Sequence, residues 1–208
     1  MAWHEGSQYT RTYAVVWRLA HAVFHTLFPV RYEHRERLQG LEAPYLLVAN
    51  HYSNLDALMV AVAQHEYQVS FLGKKELTQN RTFARFLARL HMIPVDRHHA
   101  DLEAMRACTK LLRSGNVLAI FPEGTRHHEG LMTQTESGTA LIALRAGVPL
   151  IPVWITRKPR LLRRTRLVIG EEIPYEDLRQ EGINQETANA LMQRIAHVYA
   201  TMAEKAEK

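Results

Sequence analysis

Apolar residues in this chain gather in two patterns, short unbroken runs and longer stretches with helical spacing. The run Tyr45-Leu46-Leu47-Val48-Ala49, preceded by Pro44, predicts a buried strand. Asn54 then offers an N-cap for a mostly apolar helix carrying Leu58, Val60, Ala61 and Val62. Further strands are expected at residues 68–72, 92–95, 116–121, 148–155 and 167–169. The prolines within 148–155 suit an edge position. A shorter strand-like segment covers 38–41, after a connector of mixed charge at 31–37. Helical spacing recurs at 82–90, 100–113, 137–145 and 185–206. In the first of these, Phe83, Phe86, Leu87 and Leu90 share one face, while Arg81, Arg85 and Arg89 line another. Strands alternating with helices predict an α/β fold: a single domain with a mixed, largely parallel sheet flanked by helices.

The N-terminal helical stretch, 13–28, is interrupted by Arg18, His21 and His25 and closed by Pro29. Arg11, Arg18 and His25 recur every seven residues, with Val15, Trp17, Leu19, Val23 and Leu27 among the apolar positions between them. Two readings stand for this amphipathic segment. It lies in a bilayer interface with its cations outward, or it packs on the core. The expected organisation is an interfacial helix and connector over 1–37, then the main domain over 38–208. No run reaches the 18 or so apolar residues of a membrane span, and the opening residues lack the order of a secretory leader.

Composition narrows the partners. An apolar fraction of 47% in 208 residues is enough for a sizeable core. The formal charge of +5 points to an anionic partner: nucleic acid, anionic lipid or a phosphorylated small molecule. The basic residues, densest at 157–166, lack interleaved aromatics and form no recognised nucleic-acid module, so nucleic acid is not expected. That basic run suits CoA phosphates, anionic headgroups or an acidic carrier protein, or is simply a solvated surface. The single cysteine, Cys108, excludes an internal disulfide and reads as a small buried residue. The pairs His98-His99 and His127-His128 have no carboxylate at ligand spacing, so no metal is expected.

The polar residues that carry chemistry sit where strands end. In an open α/β sheet, ligands bind beyond the carboxyl ends of the strands. Those ends deliver His51 with Asp56, then Lys74, Arg97, and the run Glu123-Gly124-Thr125-Arg126. An imidazole can take a proton from a hydroxyl, and a carboxylate on its other nitrogen fixes the tautomer. Arginine binds phosphate bidentately, lysine acts as a point charge, and Gly124 lets backbone N–H groups approach an oxyanion. Such a crevice would deprotonate a hydroxyl on a molecule held by its phosphate.

At these residues the sequence resembles a known family. Asn50-His51-x-Ser53-x-x-Asp56 and Phe121-Pro122-Glu123-Gly124-Thr125-Arg126 look like the first and third motifs of glycerolipid acyltransferases of the 1-acyl-glycerol-3-phosphate type. Ile93-Pro94-Val95-Asp96-Arg97 is similar to the second motif, and Val148-Pro149-Leu150-Ile151-Pro152-Val153 to the fourth. Gly73-Lys74-Lys75-Glu76-Leu77 matches the lysine-bearing stretch between the first two. The resemblance implies transfer of a fatty acyl group from acyl-CoA or acyl carrier protein, as co-substrate, to the free hydroxyl of a lysophospholipid. No other cofactor is implied. His51 would be the general base and Asp56 its orienting partner. Arg126 would bind the acceptor phosphate with Lys74 and Arg97 as helpers, while Glu123, Gly124 and Thr125 shape that loop. The expected setting is the membrane surface, on the cytoplasmic face, or the cytoplasm.

Two positions depart from the family pattern. His91 stands where the second motif usually opens with glycine, and Glu136 where a lysine usually precedes Gly138 by two residues. An anion in place of a cation keeps other acceptors in play: glycerol-3-phosphate, another lysolipid or an amino-acid lipid. A catalytically silent lipid- or acyl-CoA-binding module is the alternative from a different class.

Overall fold

The computed structural model describes residues 9–96, 101–123 and 137–207. Its strands are β1 (Val30–Glu33), β2 (Leu46–Ala49), β3 (Val69–Lys74), β4 (Met92–Val95), β5 (Val117–Ile120), β6 (Leu150–Ile155) and β7 (Thr165–Ile169). The helices are α1 (Arg11–Thr26), α2 (Leu55–Ala63), α3 (Arg81–Arg89), α4 (Leu102–Arg113), α5 (Gly138–Ala146), α6 (Glu176–Glu181) and α7 (Gln185–Glu207). The strands form one 7-stranded sheet in the order β1-β7-β6-β2-β5-β3-β4. Every pairing is parallel except β6 with β7, so β7 and β1 run against the other strands. The fold is therefore α/β with a mixed, mostly parallel sheet, as the alternation of elements predicts.

Side chains alternate across a strand, and here both faces are covered, which is why the strand runs are apolar without a break. Leu46, Val48, Leu118 and Leu150 face a core completed by Leu112 of α4, Leu144 of α5 and Leu191 and Ile195 of α7. Leu47, Ala49, Val117 and Ala119 face the opposite core, built from α1 and α2. All four residues of β2 are fully buried, as expected of a strand between two others. Helix α1 packs through Tyr13, Trp17, Ala20 and Phe24. The Trp17 indole N–H donates to the Ala61 carbonyl at 3.0 Å, and the Thr10 hydroxyl to the Arg89 carbonyl at 2.7 Å. Yet Val15, Leu19 and Leu27 on the same helix remain 54%, 63% and 48% exposed. One face of α1 is thus packed on the core, while apolar residues stay exposed elsewhere on it.

Four local expectations are corrected. The charged connector contains an edge strand, β1, held to β7 by the bidentate contact of Arg166 Nε and Nη2 with Glu33, at 2.9 and 2.8 Å. Residues 38–41 are not a strand; a 3₁₀ turn (Arg35–Arg37) precedes them, and Leu38 is buried as an anchor. The proline-bearing strand β6 is interior, not an edge. Pro152 is tolerated because its nitrogen side faces the end of β7, where only its carbonyl is used, accepting from Gly170 N–H at 2.8 Å. Finally, Asn54 occupies the N-cap of α2 without a side-chain bond, and the Ser53 hydroxyl accepts the Leu55 N–H instead, at 3.2 Å. Pro94 does lie on an edge strand, β4.

Candidate active site

Because β2, β5, β3 and β4 are parallel neighbours, their carboxyl ends open on one edge of the sheet. His51 follows β2, Lys74 ends β3 and Glu123 follows β5. Arg97, Gly124, Thr125 and Arg126, and the unusual Glu136, lie outside the described residues.

The turn from β2 into α2 is built around the Asp56 carboxylate, which is 0% exposed. Its Oδ2 accepts from His51 Nδ1 at 2.9 Å, from Tyr52 N–H at 2.5 Å and from Ser53 N–H at 2.6 Å. Its Oδ1 accepts the Ser53 hydroxyl at 2.9 Å. Each of these bonds compensates the buried carboxylate for lost hydration. Asp56 thus closes the turn and fixes the imidazole at once. Closing the turn and orienting the histidine are performed by the same oxygen.

With Nδ1 committed to Asp56, the nitrogen of His51 left open is Nε2, which has no partner among the described residues. The ring stacks on Phe121, centroids 4.4 Å apart, and Phe121 stacks in turn on Phe71 at 6.4 Å. These aromatics fix the plane of the imidazole. In the sequence Phe121 opens the third motif without a role of its own, and Phe71 reads only as core. Asn50, ahead of the histidine, is 2% exposed and exchanges two bonds with Ile155 of β6: Nδ2 to the carbonyl at 2.9 Å, and the Ile155 N–H to Oδ1 at 2.7 Å. It holds the end of β2 against β6; in the sequence it opens the first motif but carries no role of its own.

His51 and Lys74 line one cavity of about 1110 Å³, predominantly apolar. It extends from the strand ends along α1, where Trp17 and Ala20 face it, and past Leu87 and Leu90 beside α3. Met105 and Leu141 line its part on the other side of the sheet. At Gly73 the strand edge is crowded: a Cβ there would lie 2.2 Å from the Met92 sulfur, so a larger residue would displace that side chain. Glu123 is not at this cavity. It is 7% exposed, and its charge helps raise the phenols of Tyr52 and Tyr199, after burial, which is the larger cause in both. The Tyr199 hydroxyl is itself bonded to the Val48 carbonyl. Cys108 is fully buried, and burial pushes its thiol up to about 12.

A family model described as Acyltransferase matches residues 29–156. The chain belongs to that family. Among curated relatives it is 29% identical over 153 residues to a 1-acyl-sn-glycerol-3-phosphate acyltransferase of Bacillus subtilis, covering 71% of this chain and 75% of the relative. It is 28% identical over 184 residues to the enzyme of the same name from Streptococcus pneumoniae, covering 85% of this chain and 67% of that one. Its fold matches the crystal structure of the 1-acyl-sn-glycerophosphate acyltransferase of Thermotoga maritima, with a TM-score of 0.73, 22% identity, and coverage of 94% of this chain and 79% of the other. The matched segment of this acyltransferase runs from just before β1 to the residue after β6, and so includes His51, Asp56 and the Asn50–Ile155 clamp.

Proposed function

We propose that this acyltransferase moves a fatty acyl group from acyl-CoA or acyl carrier protein to the free hydroxyl of a lysophospholipid, with 1-acyl-glycerol-3-phosphate as the leading acceptor. The observation that carries this reading is the 2.9 Å bond from His51 Nδ1 to the buried Asp56, at the mouth of an apolar cavity. Nε2 takes the proton of the acceptor hydroxyl. The oxygen attacks the thioester carbonyl carbon, the C–S bond breaks, and the thiolate leaves and is protonated by the imidazolium. Asp56 stabilises that imidazolium and keeps Nε2 facing the substrate. The donor acyl goes straight to the acceptor oxygen. A Cys108 thiol that is fully buried and raised to about 12 supports a route without an acyl-enzyme.

The cavity supports the chain-binding half of this function, since its volume and apolar lining suit a fatty acyl group. Lys74 at the rim, with Arg97 and Arg126, would hold the acceptor phosphate, and Gly124 and Thr125 would shape that loop. The burial of Glu123 supports a structural role for it. The division at 37/38 enters as a functional one. The N-terminal helix meets the bilayer, on its cytoplasmic face, and the remainder performs the chemistry. Among the described residues no helix is long and apolar enough to cross a membrane. Contact of α1 with lipid is supported by its exposed Val15, Leu19 and Leu27.

The test supplies labelled acyl-CoA or acyl carrier protein with a panel of lysolipids and glycerol-3-phosphate, and repeats it with His51→Ala. The expected loss is about 10²–10⁴-fold, the usual contribution of a positioned general base. Full activity in His51→Ala removes the base assignment. Tight lipid binding without turnover of any acceptor identifies a binding module instead.

A further inference from the structure

The basic run 157–166 divides into two parts with different work. Arg166 is held between Glu33 and the Ala206 carbonyl, the latter at 2.6 Å, and is structural. Arg157, Lys158, Arg160, Arg163 and Arg164 are all exposed, and among the described residues none of them pairs with a carboxylate. They sit on a hairpin between β6 and β7. Its ladder continues through Thr156 N–H to the Arg166 carbonyl at 3.1 Å and closes with a bridge between Arg160 and Arg163. The Arg157 guanidinium bonds across the base to the Arg164 carbonyl, and Pro159 is buried beneath. This is an ordered projection with a fixed tip.

The tip is Leu161-Leu162, 59% and 71% exposed. Leu162 also has φ +56°, in the left-handed region where glycine or asparagine is the low-energy choice. A side chain with Cβ is strained there, and exposing leucine to water adds to that cost. Water-facing hairpins resolve both penalties with Asn-Gly or a similar pair. Here the two residues at the apex are instead the most apolar of their loop, and cations flank them on both sides.

The location adds direction. The hairpin leaves β6 at Ile155, the residue clamped to Asn50 beside His51, so it rises from the catalytic edge of the sheet. Leu162 N–H donates to the Leu27 carbonyl at 2.7 Å, and Thr165 N–H to the Pro29 carbonyl at 2.8 Å. Leu27 is the exposed C-cap of α1, whose Val15 and Leu19, four residues apart, are exposed on one face. The hairpin tip is therefore tied to the C-terminal end of α1 at an exposed leucine, and adds to it the ring of cations.

We infer that the β6–β7 hairpin is a second membrane anchor, with Leu161 and Leu162 entering the acyl region of an anionic bilayer while the flanking cations engage its headgroups. This rests on the reading of α1 as the helix that meets lipid, and extends it to a site that fixes the protein's rotation about that helix. A soluble phosphate ligand such as CoA would use the cations but leaves the two exposed leucines without a role. A bilayer uses both.

The experiment uses the full chain with Leu161→Cys carrying an environment-sensitive dye; Cys108, being fully buried, stays unlabelled under native conditions. Vesicles of phosphatidylcholine with about a third phosphatidylglycerol should blue-shift the dye, and brominated acyl chains should quench it. Leu161→Gly with Leu162→Gly should weaken vesicle binding about tenfold or more, with Tm unchanged or raised because glycine accepts the left-handed backbone. Removing Arg160, Arg163 and Arg164 as glutamines should lower the preference for anionic vesicles about fivefold per cation. A dye that stays in water while the protein binds vesicles overturns the hairpin anchor and leaves the contact through α1 standing. Absence of vesicle binding by the unaltered chain overturns both. A shift produced by CoA or by acyl carrier protein, and not by vesicles, reassigns the hairpin to the donor.

Discussion

Asn50 and Ile155 exchange a pair of hydrogen bonds across the carboxyl ends of β2 and β6, so the residue before the candidate base is welded to the strand beside it. Both backbone groups of Ile155 depend on this one amide. Asn50→Ala therefore leaves a buried N–H and a buried C=O unpaired, a loss of about 2–4 kcal/mol. Denaturant unfolding should show the midpoint falling with little change in slope. A stability loss below 1 kcal/mol removes the clamp from the account.

Asp56→Asn keeps the size of the side chain and changes its hydrogen-bonding sense. An amide NH₂ directed at His51 would favour the tautomer with its proton on Nε2, the wrong one for a base. Turnover should drop about 10²–10⁴-fold with the acyl donor still bound. The same change disturbs the N–H groups of Tyr52 and Ser53, so Tm should fall as well. Measuring kcat separately from Tm distinguishes the two effects.

His91 explains its own oddity. It has φ +55°, and its N–H donates to the Ala88 carbonyl at 3.0 Å where the chain turns out of α3. A glycine occupies that conformation without a Cβ penalty, which is the physical reason the motif usually begins with one. His91→Gly should raise stability by about 0.5–1 kcal/mol, read as an increase in Tm. A fall in Tm would show that the half-buried ring contributes more packing than the backbone strain takes away.

Burial lowers the pKa of His91, and burial followed by the charges of Arg35 and His25 lowers that of His21. Above the ordinary histidine value of 6.5 both rings are neutral in the folded and the unfolded chain, and pH has no effect through them. As pH falls below that value the unfolded chain takes up protons first, so stability declines until the folded rings follow. Urea unfolding between pH 7.5 and 5 should show this decline, and His21→Gln with His91→Gly should flatten it. An equal slope in the double variant assigns the pH dependence elsewhere.

Gly170 follows β7 directly against the ring of Pro152: a Cβ there would lie 2.5 Å from the proline Cγ. Neither partner can rotate away, so Gly170→Ala should cost about 1–3 kcal/mol in thermal unfolding. Gly170→Ala combined with Pro152→Ala should recover part of it, and independence of the two changes would refute the contact.

The interior strands were legible because they are covered on both faces, which leaves no polar position to interrupt the apolar run. The common edge of His51, Lys74 and Glu123 followed from the same parallel alternation. Strand β1 was hidden because Val30-Arg31-Tyr32-Glu33 is half charged, and Glu33 is paired by Arg166, far away in sequence. Pro152 looked like an edge signal because composition does not tell which side of a strand a missing N–H faces. Phe121 stood in the third motif without a role, since stacking depends on ring orientation. Asn54 was credited with a cap that Ser53 performs, the two residues being equally good candidates on type alone.

Strand order has a consequence for how the chain is made. Leu46 of the central strand pairs with Leu118 on one side and Leu150 on the other, and Val30 waits for Thr165. None of these partners exists when the first quarter of the chain leaves the ribosome. Helix α1 and strand β2, among the most apolar pieces of the molecule, are therefore produced long before anything can cover them. Sheets of such long-range pairing close late and cooperatively. A growing chain halted before β7 should be captured by chaperones or by a nearby bilayer, with α1 and β2 as the first segments in need of cover.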